Sequence, residues 1–388
     1  MRTLHEINIK GFKSIENAEL KLGDLNVVIG ANGSGKTNFI NAFRLLERVL
    51  SKKLQSYVGV EPDRFLHHGR KITPEFQLDF IFDEFRYEFC LKVIKDTFVF
   101  YEKIFFNDEF EETIPIITNS GEEKKLKGYA RKCTPNQESL LGELLETVTK
   151  ESNKRWPDFF SKEKEIKFVA SALSLLQNLV VYHFHDTSDS SPIRIGNVDI
   201  DDNRFFRSDA ANLAAYLYWL QQKHPVAFRH IEEHVRLVAP FFEGFVLEPS
   251  KLNDRKIKLE WRHKDSDAYF DAWSLSDGTL RFICLATLLL QPSLPALILL
   301  DEPELGLHPF AIRILAEMLD AASKKSQVIL ATQSVTLLDN FTPQNVVVAE
   351  NDGSRTTFKR LDEEKLKVWL KKFSLGELWE KNIFGGRP

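Results

Sequence analysis

The chain carries, at residues 30–37, the stretch Gly30-Ala31-Asn32-Gly33-Ser34-Gly35-Lys36-Thr37. It fits the pattern G-x-x-x-x-G-K-[ST] of a P-loop, which is specific only where a strand precedes it and a helix follows. Both are predicted here, because residues 25–30 are mostly apolar and residues 36–50 repeat apolar side chains at helical spacing. We expect the loop N–H groups to face nucleotide phosphates, Lys36 to reach the β- and γ-phosphates, and the Thr37 hydroxyl to bind Mg²⁺.

A second motif ends a predicted buried strand. Its residues are Leu297-Ile298-Leu299-Leu300-Asp301-Glu302. This is the form of a Walker B strand, apolar throughout because a parallel strand is covered on both faces. Asp301 is expected to hold Mg²⁺, and Glu302 to be the base that orients the attacking water. An apolar strand followed by Asp-Glu is common, so this assignment depends on the motifs around it.

A third motif lies at the start of a predicted helix. Its residues are Leu275-Ser276-Asp277-Gly278-Thr279-Leu280-Arg281. It resembles the ABC signature LSGGQ, in the variant spelling of the RecF/SMC/Rad50-like ATPases and their overcoming-lysogenization-defect relatives. A Ser and a Gly at a helix N-terminus form an anion site. The resemblance implies a head-to-head homodimer in which Ser276, Asp277 and Gly278, joined by Arg281, close on the ATP of the partner subunit.

The resemblance extends to four further stretches. They are residues 301–309 (DEPELGLHP, where the family keeps its D-loop), 331–334 (ATQS), 9–15 (IKGFKSI) and the tail from Leu375 to Pro388. At the place of the family's switch histidine this chain has Gln333. Glutamine can hydrogen-bond a phosphate oxygen or a water but carries no proton or charge, so slow hydrolysis is expected.

The resemblance implies an α/β fold, that of an ABC-type ATPase head: a P-loop NTPase with a mixed sheet, an antiparallel β meander and a helical insertion. It implies ATP and Mg²⁺ as cofactors. The candidate catalytic residues are Lys36, Glu302 and Gln333, and the candidate Mg²⁺ ligands are Thr37 and Asp301. The candidate ATP-binding residues are Asn32, Gly33, Ser34, Gly35, Lys36, Thr37 and Asn38, with Ser276, Asp277 and Gly278 acting in trans.

Three segments are expected along the chain. Residues 1–107 form the N-terminal part of the ATPase lobe, where a period of two over 76–107 predicts the meander. Residues 108–250 are charged and predicted mostly helical, with loops around 119–136 and 186–210 and no sustained heptads. Residues 251–388 carry a strand at 254–263, the signature, Walker B, D-loop and switch motifs, and an amphipathic helical tail from 362.

Composition narrows the class of protein. The 388 residues carry a net charge of −4, which gives no general attraction to nucleic acid, so a DNA contact needs a local patch. Three scattered cysteines suit a reducing compartment. We find neither a signal peptide nor an apolar stretch of about 18 residues. We therefore expect a cytoplasmic protein without a membrane partner.

Weaker patterns leave alternatives open. The sequence Tyr182-His183-Phe184-His185-Asp186 offers metal ligands, but a structural strand edge is the commoner explanation, and the turn after residues 179–182 also suits the family's Q-loop. A basic run could contact a phosphate backbone or simply be solvated; it contains Lys124, Lys125, Lys127, Tyr129, Arg131 and Lys132. Asp199, Asp201 and Asp202 suggest a nuclease site or, more simply, Asx turns.

Three functions compete. The first is a regulatory ATPase whose ATP-closed dimer controls a separately encoded effector, with antiphage defence as one setting. The second is a RecF-like DNA repair clamp, with DNA as partner. The third, the ATPase subunit of a transporter, fits the motif spelling poorly. Because no Toprim-sized segment follows Ser334 and no long arms are present, we expect a stand-alone head.

Overall fold

The computed structural model describes residues 3–59, 61–83, 85–94, 97–106, 113–117, 123–133, 176, 179–188, 190–195 and 197–387, with backbone alone at 106, 113–117 and 123–133. Two compact units alternate along the chain. The first consists of Met1–Gly23, Ile29–Val180 and Val347–Arg360, and the second of Asp24–Val28, Val181–Val346 and Leu361–Pro388. The boundary at Val180 falls inside the predicted middle segment 108–250, whose residues therefore belong to both units.

The first unit holds a seven-stranded antiparallel sheet. Its strands are β1 (Leu4–Phe12), β2 (Ile15–Lys21), β4 (Glu75–Phe82), β5 (Phe85–Ile94), β6 (Thr97–Phe106), β7 (Thr113–Ile117) and β8 (Glu123–Cys133), in the order β2-β1-β4-β5-β6-β8-β7. Along β5 every second side chain is buried, as the period of two predicts. The predicted meander is confirmed.

The meander continues beyond residue 107. The expected loop around 119–136 is wrong for β8, which pairs with β6 on one side and β7 on the other. Backbone pairing with two neighbours outweighs a lysine-rich composition that is unusual in strands. The basic run therefore lies on β8. Within the segment predicted to be mostly helical, residues 134–175 lie outside the described residues.

The first unit also contains two helices and a second strand pair. They are α1 (Lys36–Leu50), α2 (Leu54–Val58), most of β18 (Val346–Asn351) and β19 (Thr356–Arg360). Helix α1 has the predicted bounds, and β18 and β19 form an antiparallel pair. Ser14, in the turn between β1 and β2, lies 2.8 Å from Thr356, hydroxyl to hydroxyl. Residues far apart in sequence thus meet at the P-loop.

The second unit contains neighbouring strands in the order β3-β17-β16-β9. They are β3 (Leu25–Ile29, of which Leu25–Val28 belong here), β17 (Gln327–Thr332), β16 (Leu297–Asp301) and β9 (Leu179–Tyr182, of which Val181 and Tyr182 belong here). β16 and β17 run parallel, and every residue of both is buried except Asp301. This is the fully covered strand that the apolar run predicted.

Helices and two small sheets complete the second unit. The helices are α3 (Pro192–Ile195), α4 (Leu213–Lys223), α5 (Pro225–Val238), α6 (Asp277–Leu290), α7 (Pro309–Ser323), α8 (Val335–Leu338), α9 (Glu363–Leu366) and α10 (Leu375–Glu380). One small sheet has β10 (Val198–Asp199), β13 (Asn253–Ile257) and β12 (Pro249–Ser250); the other has β11 (Phe242–Val246), β14 (Glu260–His263) and β15 (Tyr269–Asp271). The strand predicted at 254–263 is thus two strands in different sheets.

The tail differs from the amphipathic helix predicted from residue 362. It forms only the short helices α9 and α10. Ser374 and Glu377 make a capping box that starts α10 anew, and Gly385 and Gly386 adopt positive φ angles that a helix excludes. Trp379, fully buried, donates its indole N–H to the Gly386 carbonyl. Among the described residues, no helix has both the length and the apolarity that crossing a bilayer requires.

Candidate functional site

The P-loop lies in the first unit between β3 and α1. Gly33 and Gly35 have φ angles of 77° and 101°, which non-glycine residues rarely adopt. A Cβ on Gly35 would lie 2.3 Å from the Thr356 hydroxyl, so only glycine fits there. Lys36 is 4% exposed, and its Nζ donates to the carbonyls of Gly30 at 2.6 Å and Ala31 at 2.9 Å. The loop is therefore wrapped around its own lysine.

The chemistry of this loop fits a nucleotide phosphate. The buried hydroxyl of Ser34 has no hydrogen-bond partner, and nothing lies within 4 Å of the Cβ position of Gly33. Asn32 and Thr37 are exposed, as residues that contact a ligand and its metal ion must be. The amide of Asn38 points elsewhere, donating to the Ser14 hydroxyl at 2.8 Å. Open space, a buried donor and a lysine charge favour an anion here.

In the second unit, the end of β16 carries the two carboxylates. Asp301 is its last residue, and Glu302 follows with a φ angle of 44° in the left-handed region. The Glu302 N–H donates to the Ala331 carbonyl at 2.8 Å, which holds this backbone against β17. Gln333, just after β17, donates its side-chain amide to Oε1 of Glu302. The predicted base and the residue at the switch position therefore meet directly.

Glu304 also lies beside Gln333, and no role was predicted for it beyond its place in the motif. Its Oε1 accepts hydrogen bonds from the Thr332 hydroxyl and from the Gln333 N–H, the latter at 3.3 Å. Its Oε2 is buried without a partner. Burial is the main cause that raises the pKa of Glu304 above its ordinary value. A buried carboxyl thus holds the backbone of Gln333, whose side chain bonds Glu302.

The signature residues begin a helix, as the sequence predicted. Ser276 caps α6: its hydroxyl accepts from the Thr279 N–H at 3.2 Å. A Cβ on Gly278 would lie 2.4 Å from the Gly306 carbonyl, so this turn packs directly on the D-loop. Asp277 bonds Arg194 at 2.6 Å, and this hydrogen bond lowers the pKa of its carboxyl. The helix N-terminus adds positive potential, which suits an anion.

Arg281 bonds within its own chain. Its guanidinium donates to the carbonyls of Leu305 and His185, both at 2.9 Å, and Nη2 also reaches the Thr187 hydroxyl at 3.3 Å. His185 in turn hydrogen-bonds the Asp301 carbonyl through Nε2 at 2.6 Å. The turn after β9, the Q-loop candidate, therefore lies beside the Walker B end.

The other candidates have simpler explanations. Within the described part of the chain, no three His, Cys, Asp or Glu side chains cluster as metal ligands, and His185 serves the backbone of Asp301. The N–H of Asp201 donates to the Asp199 carboxylate at 3.1 Å, which is the Asx turn expected there. Ion pairs engage the three aspartates: Asp199 with Lys256, Asp201 with Arg255, and Asp202 with Arg207.

Comparison with known protein families gives one match. A protein-family model described as "AAA domain, putative AbiEii toxin, Type IV TA system" matches residues 25–339. That range includes every candidate site residue named above. None of the curated proteins shows significant sequence similarity to the chain.

Two solved structures share the fold. An Smc head bound to the C-terminal winged-helix domain of ScpA is 16% identical, with 94% of this chain and 99% of that chain covered and a TM-score of 0.54. The Pyrococcus furiosus Smc head with an extended coiled coil, bound to the C-terminal domain of ScpA, is 13% identical, with 96% and 99% covered and a TM-score of 0.55. The expected fold of an ABC-type ATPase head is confirmed.

Proposed function

The chain belongs to the family of AAA domains whose model matches residues 25–339, and from that membership we propose that it binds and hydrolyses ATP as a head-to-head dimer. The dimer acts as a switch, closed with ATP and opened by hydrolysis, and it controls a separate effector protein. The family description names a type IV toxin–antitoxin system, which supports a role in a system of several components. An antiphage setting is part of this proposal.

One observation carries the proposal: the hydrogen bond from Gln333 to Glu302 at the adjoining ends of β17 and β16. Glu302 is the base that orients water and takes its proton. Gln333 fixes one oxygen of that carboxylate and leaves the other free to accept from the water. Because an amide stays neutral, the switch position adds no charge, and turnover is slow.

Lys36, Thr37 and Asp301 keep the roles expected from their motifs. Mg²⁺ bound with the nucleotide would neutralise charge that develops on the phosphates. Thr37, exposed in the first turn of α1, and Asp301, at the end of β16, are the proposed ligands. Lys36 holds its charge at the P-loop backbone, where it can move from the carbonyls of Gly30 and Ala31 to phosphate oxygens.

The dimer rests on the signature turn. The N-terminus of α6 offers the Ser276 hydroxyl and the first backbone N–H groups of the helix. We assign them to the γ-phosphate of the partner subunit's ATP. Both Smc heads with this fold were solved with a domain of a second protein, ScpA, bound. The same division between a head and a separate protein is what we propose for this chain.

The deciding experiment is steady-state ATP turnover of the full chain, with and without linear duplex DNA, using Glu302→Gln as the blank. We expect slow turnover that DNA leaves unchanged, and an ATP-dependent dimer in sedimentation that Glu302→Gln retains and Lys36→Ala loses. Lys103→Ala is the matched control, since Lys103 pairs with Glu88 on the meander. Normal turnover by Glu302→Gln would refute the base. Stimulation of several-fold by DNA would favour the DNA clamp instead.

A further inference from the structure

Arg194, on α3, lies outside every motif recognised in the sequence, yet its side chain is only 7% exposed. Its guanidinium donates from Nε to the Thr187 carbonyl at 2.7 Å and from Nη1 to the Ala272 carbonyl at 2.9 Å. From Nη2 it donates to the Leu275 carbonyl at 3.3 Å and to Oδ1 of Asp277 at 2.6 Å. One buried side chain therefore joins the segment after β9 to both flanks of the signature Ser276.

Only arginine can make this set of bonds. A guanidinium presents five N–H donors in a rigid plane, whereas a lysine ammonium presents three donors on one atom. The carbonyls of Ala272 and Leu275 and the carboxylate of Asp277 accept from two different nitrogens, Nη1 and Nη2. Because the site is buried, the loss of any one of these bonds is costly: an unpaired donor or acceptor there has lost its hydration and gains no other partner.

The backbone that Arg194 holds is the one that presents the signature. Leu275 and Asp277 flank Ser276, whose hydroxyl caps α6 by accepting from the Thr279 N–H. The direction of that hydroxyl and of the first N–H groups of α6 follows from the backbone angles of this turn. A free turn would have to be ordered when ligand binds, at a cost in conformational entropy.

The same segment also contacts the end of β16, next to the proposed base Glu302. His185 hydrogen-bonds the Asp301 carbonyl at 2.6 Å, and Arg194 lies nine residues further along the chain, on α3. Thr187, between them, accepts from Arg194 through its carbonyl and from Arg281 through its hydroxyl. The segment after β9 thus touches the end of β16 through one residue and the signature turn through another.

We propose that Arg194 is the positioning residue of the signature turn: it holds residues 272–277 in the conformation that receives the partner subunit's ATP, and it ties them to the segment that contacts Asp301. This rests on the proposed ATP-dependent dimer. Arg194 touches neither nucleotide nor water in this scheme and acts only through the turn.

The test uses the full chain in the Glu302→Gln background, with Arg194→Lys as the variant. Arg236→Lys is the matched control, because Arg236 also bonds a carbonyl (Glu243, 2.8 Å) and a carboxylate (Glu232, 3.2 Å) in the same unit, but on α5. Three quantities are measured: the monomer's dissociation constant for ATP, the ATP-dependent dimer constant by sedimentation, and amide hydrogen exchange over residues 275–279.

For Arg194→Lys we expect exchange at 275–279 to be faster by about tenfold or more, and the dimer to be weaker by about tenfold or more, which corresponds to one lost charge-assisted bond. ATP affinity of the monomer stays within about twofold. Arg236→Lys changes none of the three. Asp277→Asn removes the charge of the carboxylate that Arg194 bonds and leaves Arg194 in place, so it should give a smaller rise in exchange. This variant replaces Arg194→Lys in the test if Arg194→Lys does not fold.

Unchanged exchange at 275–279 in a folded Arg194→Lys protein would overturn the proposal, as would faster exchange with an unweakened dimer or an equal loss of ATP affinity. If the Glu302→Gln parent forms no dimer with ATP, the proposed function itself fails. The exchange measurement then still decides, by itself, whether Arg194 holds the turn.

Discussion

The side-chain amide of Gln333 donates a hydrogen bond to Oε1 of Glu302. Both residues follow directly after parallel neighbouring strands, β17 and β16, and the Glu302 N–H is bonded to Ala331 on β17. Two features hold the pair: the strand pairing fixes the backbones, and buried Glu304 accepts from the Gln333 N–H. Glutamine at this position is thus bonded to the proposed base on one side and to a buried carboxyl on the other.

Replacing this amide by a titrating group should show in the pH dependence of turnover. Gln333→His introduces an imidazole that titrates near pH 6.5, so a further inflection should appear in the pH profile of kcat near that value. The measurement is ATP turnover between pH 5.5 and 8.5. Gln222→His, the same change at an exposed position on α4, should keep the wild-type profile. Identical pH profiles for both variants would show that Gln333 takes no part in hydrolysis.

The backbone of Glu302 should be strained by its Cβ. Its φ angle of 44° lies where L-residues are disfavoured by about 1 kcal/mol and glycine is not. We expect Glu302→Gly to be more stable than Glu302→Ala by about 1 kcal/mol in urea unfolding, although neither variant hydrolyses ATP. At Glu317, inside α7, the same pair should show the opposite order by a similar amount. Equal stabilities at position 302 would show that its backbone is relaxed.

Glu304 should make stability depend on pH. Burial raises its pKa above the ordinary 4.5, so the folded state holds the proton more tightly than the unfolded state does. Its contribution to stability is therefore present below the unfolded pKa and is lost as the pH rises through the folded pKa. Glu304→Gln cannot ionise at this position. As the pH rises above about 4.5, the free energy of unfolding of the variant should therefore increase relative to that of the wild type. A gap that stays constant with pH, as expected for exposed Glu317→Gln, would contradict this.

The contact between the signature turn and the D-loop should tolerate no added methyl group. A Cβ on Gly278 would lie 2.4 Å from the Gly306 carbonyl, and that backbone cannot move without moving the D-loop. We expect Gly278→Ala to lower the free energy of unfolding by about 1–3 kcal/mol and to weaken the ATP-dependent dimer. Gly23→Ala, where nothing lies within 4 Å, should do neither. Calorimetric melting and sedimentation measure the two effects, and a Gly278→Ala protein as stable as the control would refute the contact.

The motif-bearing elements could be predicted from sequence because local signals agree there. Helix α1 begins and ends as predicted, and β16 contains the predicted apolar run and ends at Asp301, since a glycine-rich turn and an unbroken apolar run mark these elements. The prediction was wrong where distant pairing decides. Strand β8 gains its place from β6 and β7, and neither is visible in its lysine-rich sequence.

Two residues near the proposed site could not be predicted from the sequence, for a similar reason. Arg194 sits in a short polar stretch without periodicity, and its partners at 272–277 are joined to it only in the folded chain. Glu304 belongs to a recognised motif, yet only the fold shows that it accepts from Thr332 and Gln333. The contact of Ser14 with Thr356 is of the same kind. The spacing of residues in a motif predicts contacts between residues close together in the sequence. It cannot predict contacts between side chains that are distant in sequence and meet only in the folded chain.

The way the two units share the chain has a consequence for synthesis. The first unit needs Val347–Arg360 and the second needs Asp24–Val28, so each draws on segments from near both ends. During translation β3 waits until its neighbour β17 has left the ribosome, and contacts this distant in sequence form slowly. Neither unit can be obtained by cutting the gene at one point. A chaperone that shields the apolar strand Leu25–Ile29 in nascent chains would therefore be expected to raise the yield of folded protein.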